Sequence, residues 1–296
     1  MWRLCKDENG GDKKLDQIKQ LIETKQVNVN LEDHEDYWRR QRAIHYAVKN
    51  NHTETVELLV KYGAIVNCTE KYGETPLHGV SCNVHTGIAE FLVKHGAIVD
   101  YKDKFGETPI HYSANRGRTS IVEFLVKNGA TVHCENNWGS TPLHWAAFNG
   151  HRDTVEFLVK NGAIIDCKEL DGSTPLHKAS WRGHFSTVEF LVKNGAIVDC
   201  KDGYNETAIH YAAWNNQAVI VEFLLRNGAI ADCKTNWGST PLHYAASRGQ
   251  TATVGQLVRN GATVDCKDNN GRTPLQLAIE CDKSKVVELL KKYGTN

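Results

Sequence analysis

The sequence predicts an all-α solenoid with short β-hairpin loops, each unit contributing a helix-turn-helix and a hairpin. Three observations predict it. The tetrapeptide Thr75-Pro-Leu-His78 recurs as Thr108-Pro-Ile-His111, Thr141-Pro-Leu-His144, Thr174-Pro-Leu-His177 and Thr240-Pro-Leu-His243, with Thr207-Ala-Ile-His210, Thr273-Pro-Leu-Gln276 and Arg42-Ala-Ile-His45 as variants. Each copy starts 33 residues after the last, without an insertion. Glycine or asparagine punctuates every unit at fixed offsets. A fixed period of this length marks a stack of supersecondary units, none of which buries its apolar face alone.

The elements follow in order. Residues 1–11 read as a flexible leader, and residues 12–36 as a partial N-terminal capping repeat and linker. There, Leu15, Ile18, Leu21 and Ile22 form one apolar helix face leading to Val27-Asn-Val-Asn30, which predicts the second helix of a repeat that lacks its first. The run Glu32-Asp33-His34-Glu35-Asp36 followed by Arg39-Arg40 reads as a solvated loop rather than a docking site. Residues 37–296 hold eight repeats: 37–69, 70–102, 103–135, 136–168, 169–201, 202–234, 235–267 and 268–296.

Within a repeat, Thr is expected to cap the first helix, and the next residue, Pro, suits a first turn whose N–H has no helical partner. Leu or Ile and small pairs such as Ala146-Ala147 make the buried face. Asn51, Gly117, Gly150, Gly183, Asn216 and Gly249 suit a left-handed cap; Val84 stands at that position in the second copy and predicts a distorted helix end. The second helix, as in Val155-Glu-Phe-Leu-Val-Lys160, runs to Gly63, Gly96, Gly129, Gly162, Gly195, Gly228, Gly261 or Gly294. Glu156 and Lys160, four apart, add about 0.3 kcal/mol on an exposed face. A position held by Val60, Val93, Val126, Val159, Val192, Leu225 and Val258 becomes Lys291, which predicts that the last copy closes the stack.

This pattern resembles the ankyrin-repeat family over about residues 12 to 296. The resemblance implies that His45, His78, His111, His144, His177, His210 and His243 make structural hydrogen bonds. It also implies that a partner binds the concave surface made by hairpin tips and first helices. Ankyrin repeats are hydroxylated at a hairpin Asn, often with a Leu eight residues earlier; Leu59 and Asn67 fit, so Asn67 is a candidate hydroxylation site.

Bulk chemistry narrows the function. Lysine and arginine number 35, as do aspartate and glutamate, so the chain lacks the basic footprint of a nucleic-acid binder. No apolar run reaches the 18 or more residues of a membrane span, and Lys6-Asp7-Glu8-Asn9 interrupts any signal-like segment. A cytoplasmic monomer, with the nucleus as a second location, is expected. Of nine cysteines, Cys68, Cys134, Cys167, Cys200, Cys233 and Cys266 share one repeat position. They read as small, partly buried hydrophobes, and the absence of Cys-x-x-Cys gives no support to a metal site. With no phosphate loop, nucleophile elbow or HExxH, neither an enzyme nor a cofactor is expected.

The residues that vary inside the fixed frame carry the binding prediction. Tyr72, Phe105, Trp138, Tyr204 and Trp237 sit at hairpin tips, and Phe148, Trp181 and Trp214 near first-helix ends. These positions read as surface. Tyr46, Tyr112, Trp145, Tyr211 and Tyr244 follow the framework histidine, where packing between repeats and exposure to a partner are equally compatible with the pattern. Arg116, Arg182 and Arg248, with Asn115, Asn149 and Asn215, add hydrogen-bonding and mildly basic character. The expected function is a protein-binding scaffold or adaptor; the alternative is a regulatory or targeting subunit that inhibits or localises an enzyme.

Overall fold

The structure, a computed structural model, describes residues 1–7, 14–33, 35, 40–82 and 86–294. The expectations for Val84 and for His34, Asp36 and Arg39 therefore lie outside the described residues. The chain divides into two compact units, Met1–Pro142 with Lys160–Ala163, and Leu143–Val159 with Ile164–Asn296.

Both units are built from paired helices, for instance Pro109–Asn115 with Thr119–Lys127 in the first and Ala208–Trp214 with Ala218–Arg226 in the second. The first helices pack through small residues: Ala146, Ala147, Ala212, Ala213, Ala245 and Ala246 are fully buried. Second helices bury a paired stripe, such as Val188 with Leu191 and Val254 with Leu257. Small first-helix residues let backbones approach, and the second-helix aliphatics then fill the space between neighbours.

Each first helix is tied to its own start and to the next loop by the framework histidine. His210 Nδ1 accepts the Thr207 N–H at 3.1 Å, and its Nε2 lies 3.3 Å from the Ser239 carbonyl, 29 residues on. His78 and His111 repeat both bonds in the first unit. With Nδ1 accepting a backbone amide, the proton sits on Nε2, which donates to the carbonyl. The capping box that Thr opens is thus completed by a histidine at the third helical position. At Thr273, where Gln276 replaces His, the hydroxyl accepts the Gln276 N–H directly at 3.2 Å.

First helices end as expected: Gly183, Gly249, Asn51 and Asn216 are left-handed, with φ of 83°, 77°, 58° and 60°. The following repeat completes these ends. Gln250 Nε2 donates to the Trp214 carbonyl at 2.6 Å, and His184 Nε2 lies 3.0 Å from the Phe148 carbonyl.

Two sequence expectations need correction. Trp2–Lys6, expected as flexible leader, is a helix packed on Ala43–Lys49, while Leu15–Lys25 packs on Thr53–Lys61. The N-terminal cap therefore has a first helix as well as a second. Cys5 is fully buried, and Asn50 Nδ2 donates to the Cys5 carbonyl at 3.1 Å, which holds this one-turn element in place. Second, the position that changes from Val to Lys291 is only half-buried at Val60, Val126, Val192 and Val258, and Lys291 is exposed. A lysine there costs less than the sequence pattern suggested. The hairpin loops turn as expected, each closed by a backbone bond such as that from the Asp202 amide to the Glu206 carbonyl at 3.0 Å; among the described residues the one β-bridge is Glu32 with Arg42. Their backbone also bonds sideways, one N–H to the preceding tip, as from Asn236 to the Tyr204 carbonyl and from Asn269 to the Trp237 carbonyl.

Candidate functional site

The hairpin tips hold their aromatics rigidly because an acidic or polar residue organises each turn. Asp202 Oδ1 accepts the Tyr204 and Glu206 amides, both at 2.8 Å, and Asp103 does the same for Phe105 and Glu107. These are Asx turns, which fix the loop without a strand ladder. In the first unit, Tyr72 and Phe105 stack at 6.2 Å between ring centroids, and Phe105 and Trp138 at 5.9 Å. In the second unit, Tyr204 and Trp237 stack at 5.6 Å with 21° between planes. Trp138 is 52% exposed and Tyr204 and Trp237 are each 51% exposed, so the stacked rings keep accessible area. At the intervening tip the aromatic is replaced by Asp171, beside a highly exposed Leu170.

The aromatics after the framework histidine point their hydroxyls into the loops. Tyr112 donates to Asp103 at 2.9 Å and Glu74 at 3.0 Å in the first unit. Tyr211 donates to Asp202 at 2.8 Å, and Tyr244 to Glu206, in the second. Tyr46 is buried and bonded to Asp33 at 2.7 Å. Burial first, then the adjacent carboxylates, pushes the phenols of Tyr112 and Tyr211 far above the usual tyrosine range. Tyr112 and Tyr244 thus tie a half-buried ring to the preceding repeat, Tyr211 ties its helix to the loop of its own repeat, and Tyr46 is buried. Trp145 is half-buried, its indole N–H without an acceptor among the described residues.

Near the helix ends, Trp181 is exposed and Phe148 and Trp214 are half-buried. Two of the three expected arginines are engaged with these rings: Arg182 lies 4.2 Å from the Phe148 centroid and Arg248 4.7 Å from that of Trp214. Arg116 is exposed. Trp138 belongs to the first unit, and Trp181 and Trp214 to the second.

The second unit brings several of these groups together. A cavity of about 220 Å³ is lined by Trp181, Glu206, His210, Tyr211, Trp214, Trp237 and Tyr244. Its walls stand at steep angles: Trp181 and Tyr211 meet edge-on at 5.6 Å, and Trp214 and Tyr244 at 5.4 Å. Glu206 was not among the sequence candidates. Its signal was a carboxylate just before the Thr207 cap, in the copy that also carries Trp214. A second surface also escaped the sequence reading: in the second unit Ile164, Ile197 and Ile230 are each more than half exposed at one repeat position.

Histidine and cysteine meet in the frame, 23 residues apart. Cys134 Sγ lies 3.7 Å from His111 Nδ1, and Cys167 Sγ 3.6 Å from His144 Nδ1. Burial pushes His111 and His144 down to about 4 and Cys134 up to about 11. The His111–Cys134 pair is therefore neutral imidazole against neutral thiol, the opposite of the ion pair that activates a nucleophilic cysteine. Asn67 has a structural role too: Nδ2 donates to the Gly96 carbonyl at 2.8 Å and Oδ1 accepts the Ile98 amide at 2.9 Å. Asp232 binds the Thr263 amide equivalently at 2.9 Å.

A family model for ankyrin repeats (3 copies) matches residues 8–103, 89–169, 161–234 and 220–296. A search among curated proteins found no match. No helix among the described residues is long and apolar enough to cross a membrane.

Proposed function

Because the chain belongs to the ankyrin-repeat family, whose repeats generally serve protein–protein interaction, we propose that it is a scaffold or adaptor that binds a protein partner through its hairpin tips and first-helix ends. The observation that carries this reading is the stacked, half-exposed tip aromatics, Tyr72–Phe105–Trp138 in one unit and Tyr204–Trp237 in the other. Rigid exposed rings contribute large buried area on binding at little rotamer cost, which makes them frequent interface hot spots. Binding without chemistry is supported by the neutral His–Cys pairs, and a partner other than nucleic acid by the balanced charge. Modification of Asn67 by an oxygenase is part of the same proposal, and requires local opening of the two bonds its side chain makes.

The test is affinity capture with the wild-type chain beside a Trp138→Ala, Trp181→Ala, Trp214→Ala triple variant of confirmed helical content. Partners that depend on these tryptophans are lost from the variant. An unchanged set of specific partners overturns the placement.

A further inference from the structure

The cavity formed by Trp181, Tyr211, Trp214, Trp237 and Tyr244 differs from the rest of the aromatic surface in its charge. Glu206 lines it, and Asp202 sits directly behind, taking the Tyr211 hydroxyl. Among the described residues neither carboxylate has an ion-pair partner, whereas Asp268 pairs with Arg272 at 2.9 Å and Glu169 with Lys178 at 2.6 Å. Asp202 spends its oxygens on Tyr204, Glu206 and Tyr211. Glu206 accepts the Tyr244 hydroxyl on one oxygen, and no hydrogen bond reaches the other among the described residues. An aromatic pit thus carries carboxylates that no lysine or arginine pairs with among the described residues.

The combination does not recur. Positions equivalent to Trp181 and Trp214 in other copies are Phe148, Asn115, Cys82, Lys49, Ser247 and Glu280, and those equivalent to Glu206 in the flanking copies are Ser173 and Ser239. The frame does not require it, since neighbouring copies fold without it.

Ring faces and an unpaired carboxylate attract a cation through the ring quadrupole and Coulomb terms together. The lining also selects among cations. A bare ammonium brings three N–H donors and a guanidinium five, and the pit offers them one free carboxylate oxygen among ring surfaces. Donors left unpaired on burial oppose binding. A dimethylated or trimethylated ammonium has one donor or none and presents methyl groups to the rings. Arg248 already stacks on Trp214 but is not part of the lining.

We propose that this cavity receives the methylated ammonium of a lysine side chain on the partner protein. This rests on the partner-binding reading above and names the chemistry of one contact within it.

The test is titration of the full chain with a short, otherwise uncharged peptide carrying trimethyl-lysine, read by tryptophan fluorescence. The comparison arms are the unmodified lysine peptide, the neutral tert-butyl isostere of the trimethyl side chain, and choline. The trimethyl peptide is expected to bind about tenfold more tightly than the unmodified one and the neutral isostere. Glu206→Gln and Trp214→Ala should each weaken it several-fold, while Val219→Ala, at an exposed second-helix position, leaves it unchanged; circular dichroism checks that each variant folds. Equal binding of the neutral isostere, insensitivity to Glu206→Gln, or no binding at about 1 mM peptide overturns the proposal. Choline binding as tight as the peptide would assign the cavity to a free small cation and overturn the lysine source. If capture still depends on the tryptophans while the peptide fails, the partner-binding reading stands and this contact falls; if capture ignores them, the reading itself falls.

Discussion

Cys233 Sγ lies 3.7 Å from His210 Nδ1, yet burial holds the thiol up at about 11 and the imidazole down at about 4. Proximity without ionisation leaves the pair inert. Iodoacetamide at neutral pH should therefore modify exposed Cys281 while sparing Cys233 in the folded chain, and modify both in denaturant. Peptide mass mapping reads this, and prompt native labelling of Cys233 would contradict it.

The same histidines set the acid limit of the fold. Burial lowers His45, His111, His144 and His210 to about 4 from a reference near 6.5. A depressed folded value means that the unfolded chain binds more protons between those limits. The stabilisation is complete above pH 6.5 and is lost as pH falls towards 4. Each histidine contributes up to about 1.4 kcal/mol per pH unit in that window. Thermal melts from pH 7 to 4 should show a steep fall in midpoint, and a flat profile would count against the buried, neutral assignment.

Tyr211→Phe tests the tie between helix and loop. Its hydroxyl bonds to a carboxylate, an interaction worth about 1.5–3 kcal/mol, and its loss leaves one Asp202 oxygen without that donor. Chemical denaturation should show destabilisation at the lower part of that range because the site is half-buried. Trp237→Ala, at an exposed tip, should change stability by less than about 1 kcal/mol while reducing partner capture.

Glycine substitutions separate strain from crowding. Gly172 has φ of +81°, and a Cβ there would lie 2.7 Å from the Gly203 amide nitrogen; Gly271 has φ of +77° and open space. Gly271→Ala should cost about 1 kcal/mol from conformation alone. Gly172→Ala should cost clearly more, because the adjacent tip must move. Equal losses in denaturant titrations would remove the close approach as a cause.

The repeat frame was legible because its evidence is periodic: Thr, Pro, His and Gly return at the same offsets, and their burial and left-handed caps follow. The helix Trp2–Lys6 was not, since five residues are too few to display a helical period. The aromatic tips were visible as departures from the frame. Glu206 was not, because the cavity draws on Trp181, Tyr211 and Trp237, residues of three successive repeats whose convergence depends on how first helices and loops stack. Likewise, Val192 and Val258 look like core in one dimension, although second-helix packing leaves them half-buried.

The bond from Gln250 to the Trp214 carbonyl gives the array a direction of inheritance. A duplicated module carries the donor that finishes its predecessor and receives its own finishing donor from its successor. His184 serves Phe148 in the same way. Recombination in steps of one period therefore preserves helix ends only when the incoming module keeps a side chain able to reach backwards. His and Gln both meet that demand, so the joint constrains hydrogen-bonding reach while leaving residue identity free to drift.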